Sequence, residues 1–417
     1  MAGGLGYNIG QGALILALPE SPHFYYVFHE DNDYGLTANL YQSIVSIQDT
    51  NDSGQVWAVN SPLIQDTLNR GRINAVRHAN GRDWWILVFD EGFESYYSLL
   101  FDPTGVSSIN KYPSGFEAYE FWDTGTLGQG VFSPQGDRYA HLGSQTLGAA
   151  EDYTIHLYDF DRCTGMLSNP EVLVIEDIAF LGIGLAFSEN GRFLYVMTVF
   201  NVYQYDLAAE DIAGSLKHIA AYDGFEDPIW GLSLAFNYAQ LAPDGKIYID
   251  CGSSANYYHI IHEPNLPGEA CQVEQHGLEL PTLNYRAIPN QPYYGLDPLE
   301  GSPCDTLGIN YARAQAAFSY YIEDSLLYQV AFFDGSLYAP TSWYWDFGDG
   351  HSSTERFPTH SYAAQGVYEV CLTAGNGTGS STLCREVSLL LTDVAVVEEP
   401  TASYRPGYRA LYVGVSG

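Results

Sequence analysis

A segment of about 55 residues recurs along the first two thirds of the chain, and no other feature restricts its fold as tightly. Phe132-Ser-Pro-Gln-Gly-Asp-Arg-Tyr139 returns as Phe187-Ser-Glu-Asn-Gly-Arg-Phe-Leu-Tyr195 and as Leu241-Ala-Pro-Asp-Gly-Lys-Ile-Tyr248. An earlier copy is Arg77-His-Ala-Asn-Gly-Arg-Asp-Trp-Trp85. The turn glycines stand at 81, 136, 191 and 245, at intervals of 55, 55 and 54. Each copy reads as a strand, a two-residue Asn-Gly or Asp-Gly type turn and an aromatic-rich strand, with glycine supplying the positive φ of a tight hairpin. A further strand signal follows at Tyr96–Asp102, Ile155–Asp161 and Val202–Leu207. Such a unit holds four short strands, which is one propeller blade. Stacked helix pairs are excluded, because no copy keeps a 3.6-residue period.

A weaker copy lies upstream, where Pro19-Glu-Ser-Pro-His23 precedes Phe24-Tyr-Tyr-Val-Phe28. The expected fold is therefore all-β, with a β-propeller of five to seven blades over residues 1–305 whose N-terminal part is incomplete. The Pro-containing stretch 263–300 is expected to supply the closing strand and extended packing. The first copy has little room for its early strands, so the reading expects a chain that begins inside a domain.

Composition limits the partners. The chain carries 50 Asp+Glu against 16 Lys+Arg, a formal net charge of −34. Its only lysines are Lys111, Lys217 and Lys246, so no basic patch is present to neutralise phosphates. Nucleic acid and anionic membrane are poor partners for such a chain. No apolar stretch approaches 18 residues, so no membrane span is expected. The opening Met1-Ala-Gly-Gly-Leu-Gly-Tyr7 lacks the charged and apolar regions of a signal peptide. The six cysteines (163, 251, 271, 304, 371 and 384) have no zinc-site spacing, and their even number favours disulfides in an oxidising compartment.

Residues 312–391 change character. Trp343-Tyr-Trp345-Asp346-Phe347-Gly348-Asp349-Gly350 is followed by Pro358-Thr-His360-Ser-Tyr362 and by Gly366-Val-Tyr368-Glu-Val-Cys371. Trp345 and Phe347 alternate inward on one strand, and Asp349-Gly350 turns the chain. Tyr368, Val370 and Leu372 alternate on the next strand before the Asn376-Gly377 turn. About seven such strands make an immunoglobulin-like sandwich. Cys371 and Cys384 then face each other across a hairpin, placed for a local disulfide. Residues 392–417 read as a tail or linker.

The Trp-Asp-Phe-Gly-Asp-Gly run, with Pro-x-His-x-Tyr and Gly-x-Tyr-x-Val after it, resembles a PKD (polycystic kidney disease) domain. The structural residues implied are Trp343, Trp345, Asp346, Phe347, Gly348, Asp349, Gly350, His360, Tyr362, Gly366, Tyr368, Cys371 and Cys384. The region before it resembles the propeller partner of exported PKD proteins that use type IX secretion. The matching elements are Gln11–Ile15, Ser21–Tyr26, Tyr158–Cys163, Leu241–Tyr248 and Pro264–Gly268. The segment Arg405–Gly417 departs from that family's sorting pattern. The resemblance implies a secreted or cell-surface protein, and the lack of a visible signal peptide then implies a mature or truncated form.

Little in the sequence points to catalysis. No Gly-x-Ser-x-Gly elbow, phosphate-cradling loop or dinucleotide fingerprint occurs. His259, His262, Glu263, His276 and Glu279 are dense, but strand geometry sets His259 and His262 on opposite faces. Two acidic turns, 30–35 and 49–54, offer Asp31, Asp33, Asp49 and Asp52 as oxygen ligands for calcium, the only cofactor considered. Solvated Asx turns explain the same residues more simply, as they do Asp346 and Asp349. Trp84 and Trp85 read as packing between blades rather than as a sugar platform. The leading expectation is a non-enzymatic binding or adhesion protein. Its propeller face meets a glycan or an extracellular protein, and the PKD module is a spacer or interaction module. The alternatives are a glycan hydrolase with acids converging on the propeller axis, or a surface component that self-associates through sandwich edge strands.

Overall fold

The computed structural model describes residues 11–21, 23–31, 37–47, 54–117, 128–145, 152–177, 184–227, 231–252, 255–284, 288–307, 314–324, 328–336, 338 and 340–389 of the 417. Its regular structure is almost all strand, and five four-stranded antiparallel sheets follow one another over residues 13–68, 74–113, 130–176, 184–221 and 236–284. Four are simple up-and-down meanders in chain order, and the third has the same order of neighbours. The first strands of the sheets, Ala13–Ala17, Asn74–Arg77, Gly130–Phe132, Gly184–Phe187 and Phe236–Leu241, are the inner strands of a propeller.

The repeated glycines occupy equivalent corners. Gly81, Gly136, Gly191 and Gly245 all lie between the first and second strands of sheets two to five, with φ of +70° to +80°. In each, the glycine N–H donates to the carbonyl three residues earlier: His78, Ser133, Ser188 and Ala242, at 2.8–3.0 Å. The hairpins are thus longer than the two-residue turns expected. Each is a four-residue turn with glycine last, where the left-handed conformation lets the chain rejoin the ladder. The corners also lean on one another. A side chain at Gly191 would strike Gln135 of the preceding corner, and one at Gly245 would meet Glu189. Gln135 Nε2 donates to the Glu189 carbonyl at 2.9 Å.

Apolar clusters lie at the seams. One joins the first and second sheets around Leu16, Phe28, Trp84 and Phe101. The next joins the second and third through Trp85, Phe89, Tyr139 and Tyr158. Two more join the third to the fourth and the fourth to the fifth. Trp84 and Trp85 alternate along one strand, so consecutive residues serve opposite seams. Among the described residues, no such cluster joins the fifth sheet to the first.

One of the expectations needs revision. The first sheet holds four strands within 13–68, so the sheet itself is not short of strands. The third and fourth of these strands pair with several register shifts, which blur the alternation a sequence reading relies on. The stretch 263–300 divides into the strand and the extended packing expected of it. Val273–Asn284 is the outer strand of the fifth sheet, whereas 288–299 runs along the ring. There Leu296 packs in the second seam, and Leu299 N–H donates to the Ala79 carbonyl at 2.8 Å. A disulfide between Cys163 and Cys304 tethers the segment to the third sheet.

The C-terminal module packs a three-stranded sheet against a four-stranded one. Trp345, Phe347, Val370 and Leu372 are buried between them. Cys371 and Cys384 are directly opposed and bonded, while Cys251 and Cys271 are buried free thiols.

A corner glycine can be tested directly. At Gly136, φ is +70° and an added Cβ falls 2.8 Å from Leu296 and Val76, whereas at Gly231 (φ +62°) nothing lies within 4 Å. Gly136→Ala is expected to cost about 3 kcal/mol and Gly231→Ala about 1 kcal/mol. Urea melts of the two variants should preserve that order.

Candidate functional site

The inner strands leave backbone groups along their inward edges that no neighbouring strand can pair, and buried amide side chains meet that need. Gln11, only 3% exposed, donates from Nε2 to the Gly130 carbonyl at 3.0 Å and accepts from Gly130 N–H at 2.9 Å. Gln129, 1% exposed, donates to the Ala239 carbonyl at 2.6 Å. Its Oε1 accepts from Leu185 and Ala239 N–H, each at 3.0 Å. Asn74 also donates to Gly130. Asn290 donates to the carbonyls of Ala13 and Ile73 at 3.0 and 2.9 Å, and accepts from Gln11 at 3.3 Å. These contacts link all five sheets around the axis in an amide collar. Gly184 permits the tightest approach, since a Cβ there would lie 2.1 Å from the Asn237 carbonyl.

Beside the collar lies a cavity of about 660 Å3, walled by the inner strands of sheets two to five, by residues 288–295 and by the PKD module. Phe132, Phe187, Leu241, Tyr248 and Tyr293 make much of its surface, with Glu189 and Arg356 among its few charged groups. The Tyr248 hydroxyl donates to Asp244 at 2.9 Å, and Arg356 Nε donates to buried Asp334 at 3.0 Å. An apolar and aromatic lining with sparse polar groups is the usual make-up of a ligand pocket.

A second polar group is enclosed in the protein. Glu30 is fully buried and accepts from Gly71 N–H at 2.8 Å; burial pushes its carboxyl up to about 8. Arg72, also fully buried, lies over the Phe93 ring at 4.9 Å, and loss of water pulls its guanidinium down to about 10. His141 and His156 stand 5.0 Å apart among Phe89, Phe93 and Phe116. Burial holds His141 well below the usual histidine range and His156 at about 3, so both are neutral.

The residues singled out from sequence fall in separate places. Asp31 accepts from the Asn39 N–H at 3.0 Å, whereas Asp33, Asp49 and Asp52 lie outside the described residues. His259 is buried beside Cys251 at 3.4 Å, His262 pairs with Glu274 and His276 with Asp223. The PKD motif residues meet one another. Tyr362 donates to the Phe347 carbonyl at 3.1 Å, and its ring lies 4.1 Å from that of Tyr368. His360 stacks on Phe347 at 4.2 Å and contacts Asp349 at 2.7 Å. Trp345 Nε1 donates to the Glu355 carbonyl at 2.9 Å, and Asp346 accepts from Gly348 N–H at 3.0 Å. Gly348 (φ +77°) and Gly350 (φ +92°) shape the turn, Gly366 packs beside Tyr368, and Trp343 lies under Arg356. The collar amides are not legible as functional residues from sequence, because single Gln and Asn residues with backbone partners 56 to 277 positions away leave no local pattern.

Residues 313–389 match the family model for the PKD domain, and this module belongs to that family. It is similar to the PKD1 domain from Vibrio cholerae metalloprotease PrtV, at 32% identity, covering 18% of this chain and 94% of that one, with a TM-score of 0.17. Over most of its length the chain is similar to a functionally unknown protein from Desulfotomaculum acetoxidans, at 12% identity, covering 79% and 84%, with a TM-score of 0.37. It is also similar to exo-β-1,3-galactanase from Phanerochaete chrysosporium, at 9% identity, covering 91% and 95%, with a TM-score of 0.35. These two scores are low, and the propeller architecture rests on the strand pairing described above. No curated protein matches the chain.

The buried carboxyl predicts a pH signature. Because the folded Glu30 holds its proton up to about pH 8 and the unfolded one releases it near 4.5, the folded state binds more protons between those values. That contribution to stability therefore falls as pH rises from 4.5 to 8. Glu30→Gln removes it, so the variant's melting midpoint relative to wild type should climb across this window. The series of melts that checks this runs from pH 5 to pH 8.

Proposed function

We propose that the protein is an exported, non-enzymatic binding protein whose ligand, a glycan segment or an extracellular protein, enters the cavity between the propeller axis and the PKD module. The observation that carries this reading is the pairing of an aromatic-lined cavity of about 660 Å3 with inner strands whose edges are bonded, among the described residues, by amide side chains. A hydrolase of the kind considered from sequence needs two carboxylates converging on the axis. Among the described residues, Gln11, Asn74, Gln129 and Asn290 line the inner strands and spend most of their hydrogen bonds on backbone. Of the carboxylates in the cavity wall, Asp334 is paired with Arg356. The PKD module is then more than a spacer, since it supplies Asp334, Ser336 and Arg356 to the wall.

A secreted or cell-surface location follows from the same reading, supported by the PKD domain and by two disulfides that a reducing cytosol would not keep. Export by the type IX route, implied by the resemblance of the propeller region, belongs to the proposal. Glycan arrays and pull-downs from extracellular extracts test it with the whole chain. Wild type should retain a ligand that Tyr293→Ala binds at least tenfold more weakly, without loss of thermal stability. Turnover of a polysaccharide by the purified protein would overturn the non-enzymatic reading.

A further inference from the structure

The PKD turn carries a second kind of site. Among the described residues, Asp349, His351 and His360 are the one group of three or more His, Cys, Asp or Glu side chains whose ligand atoms all lie within 4.8 Å of one another. Asp349 Oδ2 is 2.7 Å from His360 Nε2, and its Oδ1 is 3.3 Å from His351 Nδ1. The carboxylate thus faces one imidazole nitrogen with each oxygen. We infer that this trio binds a single divalent transition-metal ion of the zinc class, with a fourth position open to solvent.

The ligand chemistry selects the metal. Two imidazole nitrogens and one carboxylate suit zinc, cobalt, nickel or copper, whereas calcium prefers six or more oxygens. In a tetrahedral zinc site with bonds of about 2.0–2.2 Å, ligand atoms stand roughly 3.4 Å apart. The two contacts use different oxygens of Asp349, Oδ1 toward His351 and Oδ2 toward His360, so an ion held through one carboxylate oxygen draws one imidazole to a new place. With Oδ2 as that oxygen, its contact with His360 widens by about 0.7 Å and the exposed His351 ring swings to meet the ion.

The three ligands are held to different degrees. His360 is fixed by its parallel stack on Phe347 at 4.2 Å and by an edge contact with Tyr362 at 4.6 Å. Asp349 accepts from His351 N–H at 3.1 Å, which anchors it to the turn. The His351 side chain is 73% exposed and free to swing onto an ion. One fixed imidazole, one anchored carboxylate and one mobile imidazole form an incomplete set that an ion closes. A net charge of −34 raises the local concentration of divalent cations around the chain. The open fourth position would accept water or a donor group from a partner.

The experiment uses the full chain after treatment with a chelator. Zinc added in a calorimeter should bind with a stoichiometry of one to this site, and cobalt should develop the visible bands of a tetrahedral centre. His351→Ala, whose exposed side chain is not needed for folding, should weaken zinc at least tenfold and abolish the cobalt bands while leaving the metal-free melting midpoint unchanged. A Cys251→Ser, Cys271→Ser double variant should bind as wild type does, which separates this site from the buried thiols. Equal zinc affinity in wild type and His351→Ala, or no zinc binding to wild type, would overturn the inference.

Discussion

A radial arrangement of sheets has an intrinsic polar problem at its centre. Each inner strand pairs with its own sheet on one edge only, and the other edge points toward the axis, where water is scarce. An unpaired buried peptide group costs about 1–3 kcal/mol, so several such edges would erase the stability of a domain. This chain meets the need with amides, which offer a donor and an acceptor in the geometry of a peptide. Gln11 donates to and accepts from Gly130 as a neighbouring strand would, and Gln129 bridges the fourth and fifth inner strands.

The same logic explains the segment after the last sheet. Asn290 joins the collar from outside the five repeats, reaching the first and second sheets with its amide nitrogen. Tyr294 adds a bond to the Ile15 carbonyl at 3.3 Å and an edge contact to Trp84 at 5.0 Å. Arg162 donates to the Asp297 carbonyl at 2.7 Å, and the nearby Cys163–Cys304 bond ties the segment's end to the third sheet. Segment 288–304 is thus a covalently tethered strap across the propeller rather than another strand of it.

What the sequence revealed follows from how local each constraint is. The glycine corners were legible because a positive φ within a short turn demands one residue type at one position, and four sheets repeat that demand. The PKD motif was legible for a related reason. Its Phe347, Asp349, His360 and Tyr362 touch one another within 20 residues of chain, so their spacing is itself a record of the contact. The first sheet was harder to read, because its first corner holds Glu20 at φ +62° instead of a glycine. The collar was hidden for the opposite reason from the corners. A glutamine whose partner lies 119 positions away follows no period, and its sequence neighbours do not reveal that partner.

The cavity shows why those two levels of legibility matter for function. Its apolar walls are strand ends that the repeat places around the axis, so their presence is a consequence of the architecture. What makes the cavity particular to this chain comes from outside the repeat: Tyr293 from the strap, and Asp334 and Arg356 from the second domain. Selectivity for a ligand is set by the few polar and aromatic groups placed within such a lining. These groups depend on the strap being held and the PKD module being seated beside it. On the reading proposed above, recognition is coupled to the tether and to the domain junction, and a blade cut out alone would carry the cavity walls without the residues that give the cavity its character.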